Sequence, residues 1–144
     1  VGFWFIDKLA VKHSIPMGRK HRTTHLGEGE IEGRRIIISK PRTHVNGTGQ
    51  AIRYLFSRYR IQRENLLLVY DDIALSPGVI RIRPHGGAAG HNGVKSVIAA
   101  LGTHEFARLR IGVGRPLQGT DQVPRSCGAG TDNEGLGEWT ETIH

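Results

Sequence analysis

The run Leu66-Leu67-Leu68-Val69-Tyr70 constrains this chain more than any other stretch. An unbroken apolar run of this kind fits a strand buried on both faces, as in a sheet covered by helices. It ends in Asp71-Asp72, at the carboxyl end of the strand, where open α/β sheets place their sites. The flanking segments supply the helices. Phe3 to His13 carries Phe3, Phe5, Ile6, Leu9 and Ala10 at helical spacing, and Pro16 and Gly18 end it. Gly49–Tyr59 sets Ala51, Ile52, Leu55, Phe56 and Tyr59 on one face, and a further helix is expected from Val94 to Leu101. Strands are expected over 20–28 and 31–39 around a turn at Glu32-Gly33, over Val79–Arg83, and over Leu109–Val113. The expected fold class is α/β: a single-domain mixed β-sheet flanked by helices.

The 144 residues match the size of one domain, about 100–150 residues. No run approaches the ~18 apolar residues of a membrane helix, and nothing reads as a signal peptide, so a soluble, cytoplasmic protein is expected. The lone Cys127 excludes a disulfide framework and a cysteine zinc site within one chain. Charge is divided unevenly. Residues 1–116 hold 19 basic and 8 acidic side chains, a net +11, while residues 117–144 hold Arg125 against five carboxylates, a net −4. A body at +11 attracts polyanions, nucleic acid first among them, although solubility alone also explains a basic surface. Past Leu117 no period survives and glycines recur, so 117–144 reads as a disordered tail.

Several side chains are candidates for chemistry. The stretch from His85 to Gly93 is a glycine-rich loop opening a helix, but it has neither the Lys-Ser/Thr ending of a P-loop nor a GxGxxG pattern. Within it, Asn92 of Gly90-His91-Asn92-Gly93 is either an exposed amide for a ligand or simply a helix cap or left-handed turn residue. Asp71 either orients an imidazole, as carboxylates do in hydrolytic triads, or serves a turn. Asp72 faces the other side of the chain and reads as solvated or turn-forming. Asn46, before Gly47, is a turn signal as it stands, and His44 beside it has the chemistry to stack on a base. His21 and His25 are four apart on an expected strand, there is no HExxH, and no GxSxG elbow occurs, so neither a metal site nor a serine nucleophile is expected.

Taken together these segments resemble the bacterial-type peptidyl-tRNA hydrolase family across residues 1–116. The resemblance is carried by Val1-Gly2-Phe3-Trp4, by Lys40-Pro41 with Asn46 and Gly49, and by Asp71 with Pro77-Gly78. It continues through Gly90-His91-Asn92-Gly93-Val94-Lys95-Ser96 and the segment from Arg108 to Pro116. The resemblance implies a monomer that cleaves the ester between a peptide and the 3′ end of tRNA, with no metal or other cofactor. A histidine acts on water as general base, and Asp71 matches the aspartate supporting it. Asn46 and Asn92 match the asparagines that hold the peptide and the terminal adenosine region. His44 stands where the family has an aromatic residue, and Val45 replaces a methionine. Lys95, Arg108 and Arg110 are the expected contacts to tRNA phosphates.

The family's catalytic histidine lies two positions before Val1, so none of the eight histidines here matches it. The chain as given is accordingly expected to be inactive, to lack the family's first strand and its C-terminal helices, and to end in a tail with the look of a reading-frame error. Two other readings stay open. A non-catalytic RNA-binding relative such as a splicing cofactor would keep the basic face and could dispense with the histidine; retention of Asp71, Asn46 and Asn92 favours the hydrolase. A small-molecule phosphorylase of similar sheet topology is the third.

Overall fold

A computed structural model describes residues 1–115. The chain runs α1 (Gly2–Lys12), β1 (Arg19–Lys20), β2 (Thr24–Ile31), β3 (Arg34–Pro41), a 3-10 turn (Val45–Gly47) and α2 (Thr48–Tyr59), followed by a second 3-10 turn (Arg63–Asn65), β4 (Leu67–Asp72), β5 (Ile80–Arg83), α3 (Asn92–Leu101) and β6 (Ala107–Gly112). The expected tail over 117–144 lies outside the described residues.

The α/β class holds, but the strands form two sheets rather than one. An antiparallel sheet has the order β1-β2-β3, and a mixed sheet has the order β4-β6-β5. The first is local. Glu32 and Gly33 both take positive φ, 50° and 75°, the geometry of a two-residue hairpin turn whose twist matches its strands. That turn pairs Ile31 with Arg34 and sets the register to Thr24 and Pro41. The hairpin therefore begins at Thr24, not near residue 20; Arg19 and Lys20 instead form the short outer strand β1. Ile38 on β3 packs with Ala10 and Ile15 at the end of α1, with Ile6, Leu9, Met17, Ile31 and Ile36 around them.

In the second sheet β4 and β6 run parallel, Leu67 opposite Ala107, and β5 is antiparallel to β6. Its core is Ile52 of α2, Val97 of α3 and Phe106, joined by Phe56, Leu66, Leu68, Ile98 and Leu101. The apolar run is not buried on both faces as expected. Leu67 is 49% exposed, and the rest of β4 is half-buried. The reason is its position: among the described residues β4 has one strand neighbour and lies at the sheet edge. Helices α2 and α3 cover only the face bearing Leu68.

The feature that most directly places the site is the α2–α3 contact. The Gly49 N–H donates to Ser96 Oγ at 2.9 Å. A Cβ on Gly49 would overlap the Ser96 carbonyl oxygen and lie 2.9 Å from the Ala100 Cβ, so only glycine lets the backbones approach this closely. The first turn of α2 is thereby held against the middle and last turn of α3.

Candidate functional site

Asp71 is the penultimate residue of β4 and meets the beginning of α1. Its Oδ2 accepts from the Val1 nitrogen at 3.0 Å, and its Oδ1 from the Gly2 N–H. A carboxylate against the first N–H groups of a helix also complements the helix dipole. Asp72, one residue on, faces the opposite side of the sheet. Of the two expected roles, solvated or turn-forming, it takes the second: Oδ1 closes the turn through the Ala74 N–H, while its side chain is 12% exposed and Oδ2 accepts from Arg110 at 2.6 Å. Burial works against its ionised form, but the Ala74 N–H and the Arg110 guanidinium outweigh burial and hold its pKa below the ordinary value.

Helix α3 begins beside this pair. His91 is the residue that caps it, Nδ1 accepting from the Val94 N–H at 3.2 Å; Asn92, for which capping was one reading, is instead the first helical residue and is exposed. The His91 ring is tilted against Tyr70 of β4, centroids 4.7 Å apart, which joins the strand end to the helix start. His44, Val45 and Asn46 are all exposed at the turn preceding α2. A Cβ built on Gly93 would lie 3.1 Å from the Val45 Cγ2, so this turn abuts the first turn of α3. Asn46 and Asn92 thus flank one boundary, where the turn before α2 meets the first turn of α3.

The expected phosphate contacts separate into different roles. Lys95 is exposed in the first turn of α3. Arg110, 20% exposed, is paired with Asp72. Arg108 is a correction: it is 2% exposed and donates to the Gly87 and His104 carbonyls at 2.9 and 3.1 Å. Its guanidinium also lies 4.6 Å from the Phe106 ring centroid. With α2 and α3 packed over its face of the sheet, it has no route to a phosphate. The sequence reading passed over Arg81 and Arg83. Both are exposed on β5, where Arg81 pairs in register with Arg110 and Arg83 with Arg108. The strict alternation Arg-Ile-Arg after Ile80 was the available signal, since it puts both arginines on one face.

Among the described residues no group of three or more His, Cys, Asp or Glu is placed to hold a metal ion. The site consists of a carboxylate, two exposed side-chain amides and exposed basic side chains. Such a set suits an ester and its neighbouring carbonyls, with polyanion attached.

The sequence profile of the family described as peptidyl-tRNA hydrolase matches residues 1–125. The chain belongs to the peptidyl-tRNA hydrolase family. The match to the family runs past the boundary expected at 116. The chain is 47% identical over 116 residues to the peptidyl-tRNA hydrolase of an Exiguobacterium species, covering 81% of this chain and 63% of that protein. It is 43% identical over 134 residues to that of Bacillus licheniformis, covering 93% and 71%. Among solved structures, the peptidyl-tRNA hydrolase of Acinetobacter baumannii superposes with a TM-score of 0.76 at 35% identity, covering 81% of this chain and 59% of that one. A family structure in complex with N-propanol gives a TM-score of 0.76 at 36% identity, with 81% and 60% covered. The chain thus spans roughly three fifths to seven tenths of these relatives' lengths.

Proposed function

We propose that this protein binds peptidyl-tRNA and serves its hydrolysis at the ester joining peptide to tRNA. The observation that carries this reading is that the turn bearing Asn46 abuts the first turn of α3, which bears Asn92, with Tyr70 and His91 linking that helix start to the end of β4 and Asp71. Exposed amides donate to and accept from a peptide backbone and a base edge with no charge of their own. Arg81, Arg83 and Lys95 supply exposed positive charge for the acceptor end, with Arg110 held by Asp72, and phosphate contacts of that kind set orientation and affinity. His44, exposed beside Asn46, is the stacking partner for a base in this reading. In this reading the protein works in the cytoplasm as a monomer, without a metal, through the domain spanning 1–116.

Asp71 is the orienting carboxylate of the reading. Both its oxygens are engaged by the Val1 and Gly2 nitrogens, and no histidine among the described residues hydrogen-bonds to it. The base that activates water is therefore assigned, on the resemblance, to a histidine preceding Val1. Incubating the 144-residue chain with an N-acetylaminoacyl-tRNA tests both parts. The expected result is a complex that retains its ester and is weakened at least tenfold by Asn46→Ala or Asn92→Ala. Full turnover would refute the assignment of the base; failure to bind would refute the substrate.

A further inference from the structure

A second basic site lies at the other end of α2. Arg19, Glu28, Arg35, Arg58, Tyr59 and Arg60 line a concavity of about 290 Å³. Four arginines and one carboxylate line it, leaving three positive charges in excess. Glu28 is the anchor: Tyr59 Oη and Arg35 Nη2 each lie 2.7 Å from it, and Arg19 pairs with its Oε1. The Arg35 and Arg58 guanidiniums lie 5.9 and 5.5 Å from the Tyr59 ring centroid. Arg60 closes the helix in the left-handed conformation.

One cation near a helix C-terminus is explained by the helix dipole. Four, with a single counter-charge, are not. Like charges gathered in one concavity repel one another until an anion joins them. Guanidinium forks match phosphate oxygens in pairs, so a phosphate is the anion they suit. Tyr59 donates its hydroxyl to Glu28 and has two guanidiniums near its ring, so its polar and aromatic groups already have partners within the cluster. Contact here is to the backbone and does not read sequence.

Position supplies the partner. The 12 residues of α2 span about 18 Å, with Asn46 just before one end and the arginines at the other. Along a duplex that is about five base-pair steps of 3.4 Å. We propose that this arginine cluster is a second phosphate site, gripping the backbone of the tRNA whose 3′ end is held at Asn46 and Asn92. The proposal rests on the substrate reading above and extends it from the acceptor end to the body of the RNA.

The test compares the full chain with Arg58→Gln/Arg60→Gln, which leaves Arg19 and Arg35 to pair with Glu28. Two probes are used: whole tRNA, titrated over a range of salt, and an adenosine bearing a peptide through a 3′-amide, which carries no phosphate. The double variant is expected to bind tRNA several-fold more weakly, with a log K against log salt slope shallower by about 1–2. Its affinity for the nucleoside is expected to be unchanged. An unchanged tRNA slope overturns the proposal. If the slope falls but the wild-type chain does not bind the nucleoside, the arginine site stands and the reading of Asn46 and Asn92 fails. If the double variant melts early, Arg60→Gln alone reads the same slope with a change of about 0.9.

Discussion

Arg108 holds a buried guanidinium against two backbone carbonyls, with no carboxylate partner in its hydrogen-bond set. Those carbonyls belong to the glycine-rich loop and to the turn after α3, so one planar fork ties both together. An ammonium on a lysine stem cannot span them. Arg108→Lys is expected to cost about 1.5–3 kcal/mol in denaturant unfolding. It is also expected to speed hydrogen exchange at the Gly86 amide, which donates to the His104 carbonyl. At the start of α3, His91→Ala removes the cap and is expected to cost about 0.5–2 kcal/mol, whereas His91→Asn retains most of it; thermal melts distinguish the two. These cases show what residue type alone conveys. Asp71, Asn46 and Asn92 stood out as candidates because they are small polar side chains at a strand end and at turns, where a cap or turn role was the alternative. The roles of Arg108 and Arg81 were not legible, because one arginine reads like another until the packing of β6 against the helices decides which is enclosed.

The helices were legible to within a residue or two because their apolar spacing is long and regular. Strand β4 was recognised as a strand, but its burial was misread, since an apolar run reports hydrophobicity and not the number of neighbouring strands. The second sheet likewise could not be separated from the first by pattern, because the hairpin and the β4–β6 pair each satisfy strand periodicity independently. Gly49 gives the sharpest test of how the elements place the site. Gly49→Ala is expected to cost about 1–3 kcal/mol through overpacking against Ser96 and Ala100. It is also expected to weaken RNA binding beyond what stability explains, because it shifts the start of α2, and the turn bearing Asn46 before it, relative to α3. An alanine variant that binds RNA as tightly as wild type would show that this placement does not matter.

Across the molecule, the basic field is tied to acid stability through Glu28. Hydrogen bonds from Arg35 and then Tyr59 lower its pKa from 4.5 to about 2. A carboxylate whose folded pKa is depressed stabilises the fold above its unfolded pKa, and that contribution is lost as pH falls from about 4.5 toward 2. Wild type is therefore expected to lose melting temperature over that window more steeply than Glu28→Gln, the two curves converging at its acidic end.

The two sheets also differ in how far along the chain their partners lie. Strands β2 and β3 meet across two residues, whereas β4 and β6 pair over a separation of about forty. Closing a long loop must precede any parallel pairing, while a hairpin forms in about 1–10 μs. The order of assembly follows from this difference. In pulse-labelled refolding, amides of Gly27 to Ile38 are expected to gain protection before those of Leu68 and Leu109, so the surface that carries Glu28 exists before the strand end that carries Asp71.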